Sequence, residues 1–240
     1  MIRISLLVPS YSRPKLCLNI FKEWVNAADA PVEIEFLIGL DAEDSSISSY
    51  YEMFSGIAET EKIGRFEINI GNTTNCIQVF NNIIRTISNT SELILSLTDD
   101  MHCITSWDTK LLNVLLGINN FTEPKFILVS EGHYHTSEKF NSDFSKDEEY
   151  GYYIANKAFY SKLGYVFWPE YTHFGADTDI FAVAKKLNSV IDARNILIKH
   201  DYYQQNQSEY DITHSRKNTN KEWETSHRIL AERKSRNFNL

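Results

Sequence analysis

The chain has 240 residues, of which 42% are hydrophobic and 23% are charged, and its formal net charge is −8. This length and composition are typical of a soluble globular protein with one large α/β domain or two small ones. The acidic balance argues against a nucleic-acid partner, and no apolar run reaches the roughly 18 residues that span a bilayer. The amino terminus predicts a first strand and not a signal peptide, because its apolar segment is very short.

The three cysteines Cys17, Cys76 and Cys103 are odd in number and lie far apart, without a Cys-x-x-Cys pair. This pattern fits neither a disulfide framework nor a zinc site. We therefore expect reduced cysteines and a cytoplasmic location.

The first hundred residues alternate between short apolar runs and segments with apolar side chains at helical spacing. Strands are predicted over residues 4–9, 34–40, 65–70 and 93–97. Helices are predicted over residues 14–28, 47–54 and 75–88. Such an alternation predicts a parallel sheet covered by helices.

The second half of the chain is less regular. A helix is predicted over residues 107–116 and a strand over residues 125–130. The pattern is lost over residues 133–153, and a long irregular stretch inside a compact domain favours a functional loop. Further segments are predicted as helices over residues 158–163 and 179–187, a short strand over 196–198, and a basic tail from Arg216 onward.

The fourth predicted strand ends in two adjacent acids, Asp99 and Asp100. A buried charge is costly unless it is paired, and at the carboxyl end of a strand in an α/β sheet the partner is often a ligand or a metal. Carboxylates suit Mg²⁺ or Mn²⁺, with substrate phosphates completing the coordination. A capped turn on a solvent-facing loop is the alternative interpretation.

Two other predicted strands end in polar side chains that should reach the same edge. Residues 10–14, Ser-Tyr-Ser-Arg-Pro, contain no glycine, which excludes a dinucleotide-binding turn and a P-loop there. Arg13 suits contact with a base or a phosphate, and Asp41 suits a hydrogen bond from a uracil imide or a ribose hydroxyl. A solvated arginine and a helix N-cap are the alternatives.

In order along the chain, these segments resemble GT-A-fold glycosyltransferases of the family-two-like group. The resemblance covers about residues 2–200 and is carried by residues 7–14, Asp41, 75–85, 98–100 and 164–180. It implies a Rossmann-like α/β domain over residues 1–215, with a mostly parallel central sheet flanked by helices and a smaller acceptor-side subregion. The donor half would be residues 1–105, the acceptor half residues 106–215, and residues 216–240 a basic helical tail.

The resemblance also implies the reaction and its residues. The donor would be a nucleotide-diphospho-sugar, with a UDP-sugar favoured, the acceptor a glycan or other hydroxyl, and the cofactor Mn²⁺ or Mg²⁺. Asp100 and His200 would bind the metal, and Asp177 would be the general base of an inverting transfer. The donor-binding positions would be Pro9, Ser10, Tyr11, Arg13, Asp41, Asn75, Asn82 and Asp99. The acceptor-binding positions would be Trp168, Tyr171 and His173.

One position departs from the family's Asp-x-Asp pattern. Thr98 stands where the first acid often stands. This leaves open whether Asp99 or Asp100 contacts the metal. For His200 the alternative is a surface histidine that follows a strand, and for Asp177 it is helix capping.

Two other functions compete with this interpretation. A sugar nucleotidyltransferase commonly carries a glycine-rich basic loop after its first strand, and residues 10–15 lack glycine. A non-catalytic carbohydrate- or nucleotide-sugar-binding module predicts that Asp100→Ala leaves function intact. The tail from Arg216 has seven Lys or Arg against three Glu, so peripheral contact with an anionic membrane is an alternative to packing on its own domain.

Overall fold

The computed structural model describes residues 2–57, 62–131, 151–201 and 220–240. The strands in this part of the chain are β1 (Ile2–Ser10), β2 (Val32–Asp41), β3 (Ile63–Gly71), β4 (Ser91–Ser96), β5 (Met101–His102), β6 (Phe126–Glu131), β7 (Gly151–Asn156) and β8 (Val190–His200). The helices are α1 (Pro14–Asn26), α2 (Ile47–Phe54), α3 (Cys76–Ile83), α4 (Trp107–Leu116), α5 (Lys157–Leu163), α6 (Ala176–Lys186) and α7 (Asn220–Ser235). Short 3₁₀ turns follow α3 at Ile84–Thr86 and α7 at Asn237–Asn239.

The strands form one sheet in the order β3-β2-β1-β4-β7-β6-β8-β5. The first four neighbours in this order are parallel, which confirms the βα alternation predicted for the first hundred residues. β7 runs antiparallel to both β4 and β6, β6 and β8 are parallel, and β5 pairs antiparallel with β8. The α/β class is therefore confirmed, and the sheet is mixed beyond β4.

The prediction was incomplete for β7, whose sequence is aromatic, and for β8, where polar residues interrupt the apolar pattern. β7 begins inside the stretch predicted as irregular, residues 133–153, of which residues 133–150 lie outside the described part of the chain. β8 spans 11 residues, although only 196–198 were predicted. Its exposed positions include Asp192 and Lys199, and the buried Arg194 pairs with Asp192 two positions earlier, with Nη2 and Oδ2 2.6 Å apart.

Two apolar cores lie on the opposite faces of the sheet. Successive side chains of a strand point to opposite faces, so Leu6 joins the core beneath α1 and α2, whereas Leu7 joins the core beneath α3 and α6. Strands buried on both faces are expected in a sheet covered by helices on each side. Gly39 of β2 lets α3 approach closely, because any side chain there would overlap with Val79 and Ile83.

The carboxyl-terminal helix packs on the second core. Ile229 of α7 and Phe238 of the following turn are buried in that core, and Leu230 packs against it. Of the predicted tail, residues 216–219 lie outside the described part of the chain. Among the described residues, no helix is both long enough and apolar enough to cross a membrane.

Candidate active site

The carboxyl ends of β1, β4 and β8 bring polar side chains together at one edge of the sheet. Ser10 is the last residue of β1, the two acids follow β4, and His200 is the last residue of β8. The backbone N–H of Asp201 donates to the Asp100 carbonyl at 3.0 Å, which joins the end of β8 to the acid pair. Of the predicted site residues, the structure brings Ser10, Arg13, Asp99, Asp100 and His200 into contact at this edge.

Asp99 is almost completely buried and is bound from two sides. The Ser10 hydroxyl donates to its Oδ2 at 2.5 Å, and Arg13 Nη1 donates to its Oδ1 at 3.0 Å. Burial and the neighbouring Asp100 charge raise the pKa of Asp99 to about 6, against the opposing effect of these two hydrogen bonds. Asp99 is therefore shielded from solvent and held in a fixed position by Ser10 and Arg13.

Tyr50 of α2 holds the Ser10–Arg13 turn in place. Its hydroxyl lies 2.6 Å from Ser10 Oγ and accepts the backbone N–H of Arg13 at 3.0 Å. Because Ser10 gives its proton to Asp99, Tyr50 donates to Ser10. The Asp44 carboxylate completes the support by accepting the Ser12 N–H at 2.7 Å, where Ser12 has a positive φ of 56°. The sequence did not single out Tyr50 for this position.

Asp100 lies beside a different set of donors. Its Oδ1 accepts the Thr98 hydroxyl at 2.6 Å and faces His200 Nε2 at 3.1 Å, and its Oδ2 is 3.4 Å from Arg13 Nη1. Burial alone would raise the pKa of Asp100, but His200, Thr98 and Arg13 together lower it below its usual range. This lowered pKa favours the ionised carboxylate that a metal ligand must be.

His200 is fixed by the short β5–β8 ladder. In that ladder the backbone of Met101 pairs with that of His200. On the imidazole, Nε2 faces Asp100 and Nδ1 lies 3.4 Å from Tyr152 Oη. The next position of β5, His102, lies between two carboxylates, with Nδ1 2.7 Å from Glu23 Oε2 and Nε2 3.0 Å from Asp201 Oδ2. The sequence did not predict this link between α1 and the end of β8.

The donor set at this edge fits a divalent cation. Asp100 and His200 present a carboxylate oxygen and an imidazole nitrogen to each other at 3.1 Å. Within the described ranges, no cluster of three or more His, Cys, Asp or Glu side chains is arranged to hold a metal ion. Mg²⁺ sites commonly use one or two protein carboxylates and complete their coordination with substrate phosphates and water. Asp100 and His200 are the residues that would hold such an ion here.

The remaining predicted donor positions have diverse surroundings. Pro9 is buried within β1, opposite Gly39 of β2, and Tyr11 is half-buried. Asp41 is buried at the end of β2, and its Oδ1 accepts the Glu43 N–H at 3.0 Å.

Asn75 and Asn82, the two predicted residues near α3, differ in environment. Asn75 caps the helix, since its side chain accepts the Gln78 N–H at 3.0 Å, whereas Asn82 is exposed. The neighbouring Asn81, which the sequence did not single out, accepts the Val166 N–H at 2.7 Å and donates to the Phe167 carbonyl at 2.7 Å. Asn81 therefore fixes the segment that leads to the predicted acceptor side.

Asp177, the predicted general base, lies in the first turn of α6 together with a second acid, Asp179. Asp177 is exposed there, and its Oδ1 accepts the Thr178 N–H at 2.8 Å. Asp179 is fully buried and forms a bidentate pair with Arg233 of α7. The sequence signal that distinguishes the two acids is the local helical periodicity, but it gives no indication of the arginine 54 residues away.

The predicted acceptor residues lie around this ion pair. Tyr171 is fully buried and donates its hydroxyl to Asp179 Oδ2 at 3.3 Å, so its predicted contact with an acceptor is corrected to a packing role. Trp168 is half-buried, with the Arg233 guanidinium 3.9 Å from its ring centroid. His173 is half-buried and has its Nδ1 3.7 Å from Cys76 Sγ.

The same fold occurs in structures of glycosyltransferases. S. aureus TarS 1–349 in complex with UDP-GlcNAc matches with a TM-score of 0.67 and 12% identity, over 96% of this chain and 66% of that chain. The mannosyltransferase PcManGT from Pyrobaculum calidifontis, in complex with GDP-Man and Mn²⁺, matches with a TM-score of 0.60 and 14% identity, over 82% and 56%. The catalytic domain of Drosophila β1,4-galactosyltransferase 7, in complex with xylobiose, gives 0.58 and 13%, over 94% and 79%.

The sequence matches no protein-family model and no curated protein. The chain covers 60% of one TarS 1–349 structure and 36% of another TarS structure. At 12% identity the likeness defines the fold and not the activity. The chain therefore has the GT-A-type α/β fold that nucleotide-sugar glycosyltransferases share.

Proposed function

We propose that this protein is a metal-assisted glycosyltransferase that moves a sugar from a nucleotide-diphospho-sugar to a hydroxyl group of a glycan or another acceptor. The observation that carries the proposal is the convergence of Asp99, Asp100, Arg13 and His200 at one edge of the sheet. Ligands of open α/β sheets bind outside the carboxyl ends of the strands. The GT-A-type fold supports this assignment, since its neighbours include complexes with UDP-GlcNAc and with GDP-Man and Mn²⁺.

The leaving diphosphate needs positive charge as its bond to the sugar breaks. A divalent cation bound by Asp100 and His200 would supply Lewis-acid stabilisation of that diphosphate. Arg13 adds a fixed guanidinium at the same edge, with five N–H donors that suit phosphate oxygens. Asp99 holds Arg13 and Ser10 in place at the donor side.

The acceptor hydroxyl must lose its proton during the attack. Asp177 is the base in this proposal, because it is exposed in the first turn of α6 while Asp179 is buried and paired with Arg233. An attack from the face opposite the diphosphate inverts the anomeric centre. Trp168 and His173 remain the proposed acceptor contacts on this side of the molecule.

Within the same proposal the donor is a UDP-sugar and the metal is Mn²⁺ or Mg²⁺. Two of the TarS structures are complexes, one with UDP-GlcNAc and one with UDP. Asp41 is buried at the end of β2, where it suits a base or ribose contact. We place the enzyme in the cytoplasm, in line with three free cysteines. A role in polysaccharide biosynthesis is part of this proposal, as is peripheral membrane contact through α7, where Trp223 is half-exposed.

A thermal-shift screen of nucleoside diphosphates and their sugars, with and without Mn²⁺, tests the donor assignment. We expect a stabilisation that depends on Mn²⁺ and favours one nucleobase. Asp100→Asn should abolish the metal-dependent part, whereas Glu92→Gln, an exposed acid on β4, should not. If no nucleotide raised the melting temperature of the wild-type protein, the result would contradict the proposal and favour a non-catalytic binding module.

Product stereochemistry tests the base. The donor identified by the screen is incubated with a glycan acceptor panel, and the new anomeric configuration is read by NMR. Inversion is expected. Retention would remove Asp177 from the role of base without affecting the donor assignment.

A further inference from the structure

Arg233 of α7 is buried in the second core, and each of its three side-chain nitrogens makes a hydrogen bond. Nε and Nη2 donate to the two oxygens of Asp179 at 2.7 and 2.9 Å. Nη2 also donates to Tyr165 Oη at 3.1 Å, and Nη1 donates to the Phe238 carbonyl at 3.1 Å. The guanidinium lies 3.9 Å from the centroid of the Trp168 ring. These hydrogen bonds and the ring contact fix both the position and the orientation of the guanidinium.

The partner of Arg233 belongs to the helix turn that carries the proposed base. Asp179 follows Asp177 by two residues, and both are in the first turn of α6. The helix begins after Gly175, whose φ is 75° and whose backbone lies close to Tyr171 and to Ser226 of α7. A shift of α7 relative to α6 would therefore move the turn on which Asp177 lies.

Ile229 and Phe238 already attach α7 to the domain by burying apolar surface in the same core. A buried ion pair is weak evidence for stability, because the desolvation of both charges offsets their attraction. Its bidentate geometry instead fixes direction, because both carboxylate oxygens are matched to two N–H groups of a planar fork. This geometry restrains both the rotation of α6 about its axis and its position along that axis.

We infer that Arg233 is a positioning residue that acts through Asp179 to hold Asp177 in its productive place. α7 is thereby part of the acceptor side and not an appended tail. The inference rests on the proposed function, because it needs Asp177 as the base. Misplacing a reacting group by about 1 Å can cost about 100-fold in rate, so a small movement of this turn is sufficient for a measurable effect.

The test compares Arg233→Met and Arg233→Lys with Arg228→Met, a control on the exposed face of the same helix. We expect Arg233→Met to lower kcat for sugar transfer by about 10-fold or more, with an unchanged KM for the donor and an unchanged Kd for Mn²⁺. Arg233→Lys should recover part of the loss, since it restores the charge but not the fork. Arg228→Met should behave as wild type, because Arg228 is exposed and pairs only at the surface with Glu232.

A double-mutant cycle separates positioning from a general effect on folding. If Arg233 acts through Asp177, Arg233→Met adds little to the loss already caused by Asp177→Asn. If the two losses multiply in full, the inference is wrong and Arg233 only stabilises the fold. Should Arg233→Met fail to fold, Asp179→Asn, which keeps the shape of the side chain, enters the same cycle with the same two outcomes.

Two different outcomes would contradict the proposed function and the role of Arg233. A wild-type protein that binds UDP with Mn²⁺ but transfers no sugar to any acceptor contradicts the proposed function itself. An active wild type with unaltered kcat in folded Arg233→Met contradicts only the role of Arg233.

Discussion

The molecule contains two pairs of neighbouring acids, Asp99 with Asp100 and Asp177 with Asp179, which share an arrangement. Asp99 and Asp179 are each buried and bound by an arginine, while Asp100 and Asp177 are the partners assigned to chemistry. Their exposures differ, because Asp177 is open to solvent whereas Asp100 is mostly buried beside His200. In each pair we therefore assign the more deeply buried, arginine-bound acid to support and its neighbour to chemistry.

The two arginines are used differently. Arg13 Nη1 lies 3.0 Å from Asp99 and 3.4 Å from Asp100, so one cation serves both acids of the donor-side pair. Arg233 places two nitrogens on Asp179 alone. Arg13, which is shared by two carboxylates, lies where a metal and a diphosphate are proposed to bind, whereas the bidentate pair of Arg233 is a fixed support. We therefore assign the donor-side pair to binding charged groups and the acceptor-side pair to positioning the helix turn.

The largest effect should come from the exposed acid of the second pair. Asp177→Asn removes the proposed base, and general-base catalysis commonly contributes about 10²- to 10⁴-fold. We expect kcat for transfer to fall within that range, with the Kd for UDP and Mn²⁺ unchanged. Steady-state kinetics and calorimetry measure the two quantities. Glu170→Gln, an exposed acid before α6, is the control, and an equal loss in both variants would contradict the role of Asp177.

The next effect concerns the corresponding acid of the first pair. Asp100→Asn should weaken Mn²⁺ binding by at least about 100-fold, since loss of even an outer partner of a metal ligand commonly costs 10- to 100-fold. Titration of Mn²⁺ followed by electron paramagnetic resonance measures the Kd. Asp99→Asn is the matched comparison and should weaken Mn²⁺ binding less, because Asp99 is occupied by Ser10 and Arg13. The reverse order would exchange the roles of the two acids.

The donor side was predicted from the sequence more completely than the acceptor side. Apolar runs that end in polar residues locate Ser10, Asp99 and Asp100 directly, because strand ends are local signals and parallel strands bring them to one edge. Arg233 lies 54 residues from Asp179 and carries no local signal, since a charged residue on a terminal helix usually faces solvent. Tyr171 was assigned to the acceptor for its aromatic ring, which instead is buried beneath α6.

The other differences between the sequence prediction and the structure also arise from contacts between residues that are distant in the sequence. β7 was missed because its strand joins two distant strands, β4 and β6, and its aromatic sequence resembles the irregular stretch before it. Tyr50 and His102 hold residues of the predicted donor side through tertiary contacts, and neither residue belongs to a sequence motif. Sequence periodicity therefore predicts which strand ends meet, whereas the partners that hold the side chains there require the structure.

His102 offers a smaller test of support at the donor side. His102→Gln shortens the bridge between Glu23 and Asp201 and should loosen the end of β8 that carries His200. We expect the affinity for Mn²⁺ to fall by about 10-fold, as for other residues that orient metal ligands. The same Mn²⁺ titration measures it, with His227→Gln on the exposed face of α7 as control. An unchanged Kd would show that the β5–β8 ladder alone is sufficient to hold His200.

The smallest effects should come from the hydroxyl groups that bind the two buried acids. Ser10→Ala leaves Asp99 with Arg13 but removes the 2.5 Å hydrogen bond to Asp99 and the 2.6 Å hydrogen bond from Tyr50, and we expect the free energy of unfolding to fall by about 2 kcal/mol. Tyr171→Phe removes a 3.3 Å hydrogen bond to Asp179, which keeps both contacts with Arg233, and should cost about 0.5 kcal/mol. Urea unfolding measures both, with Ser48→Ala, an exposed position, as control. A larger loss for Tyr171→Phe than for Ser10→Ala would mean that Arg233 needs the tyrosine to hold Asp179, and the acceptor-side support would then be a three-residue unit and not an ion pair.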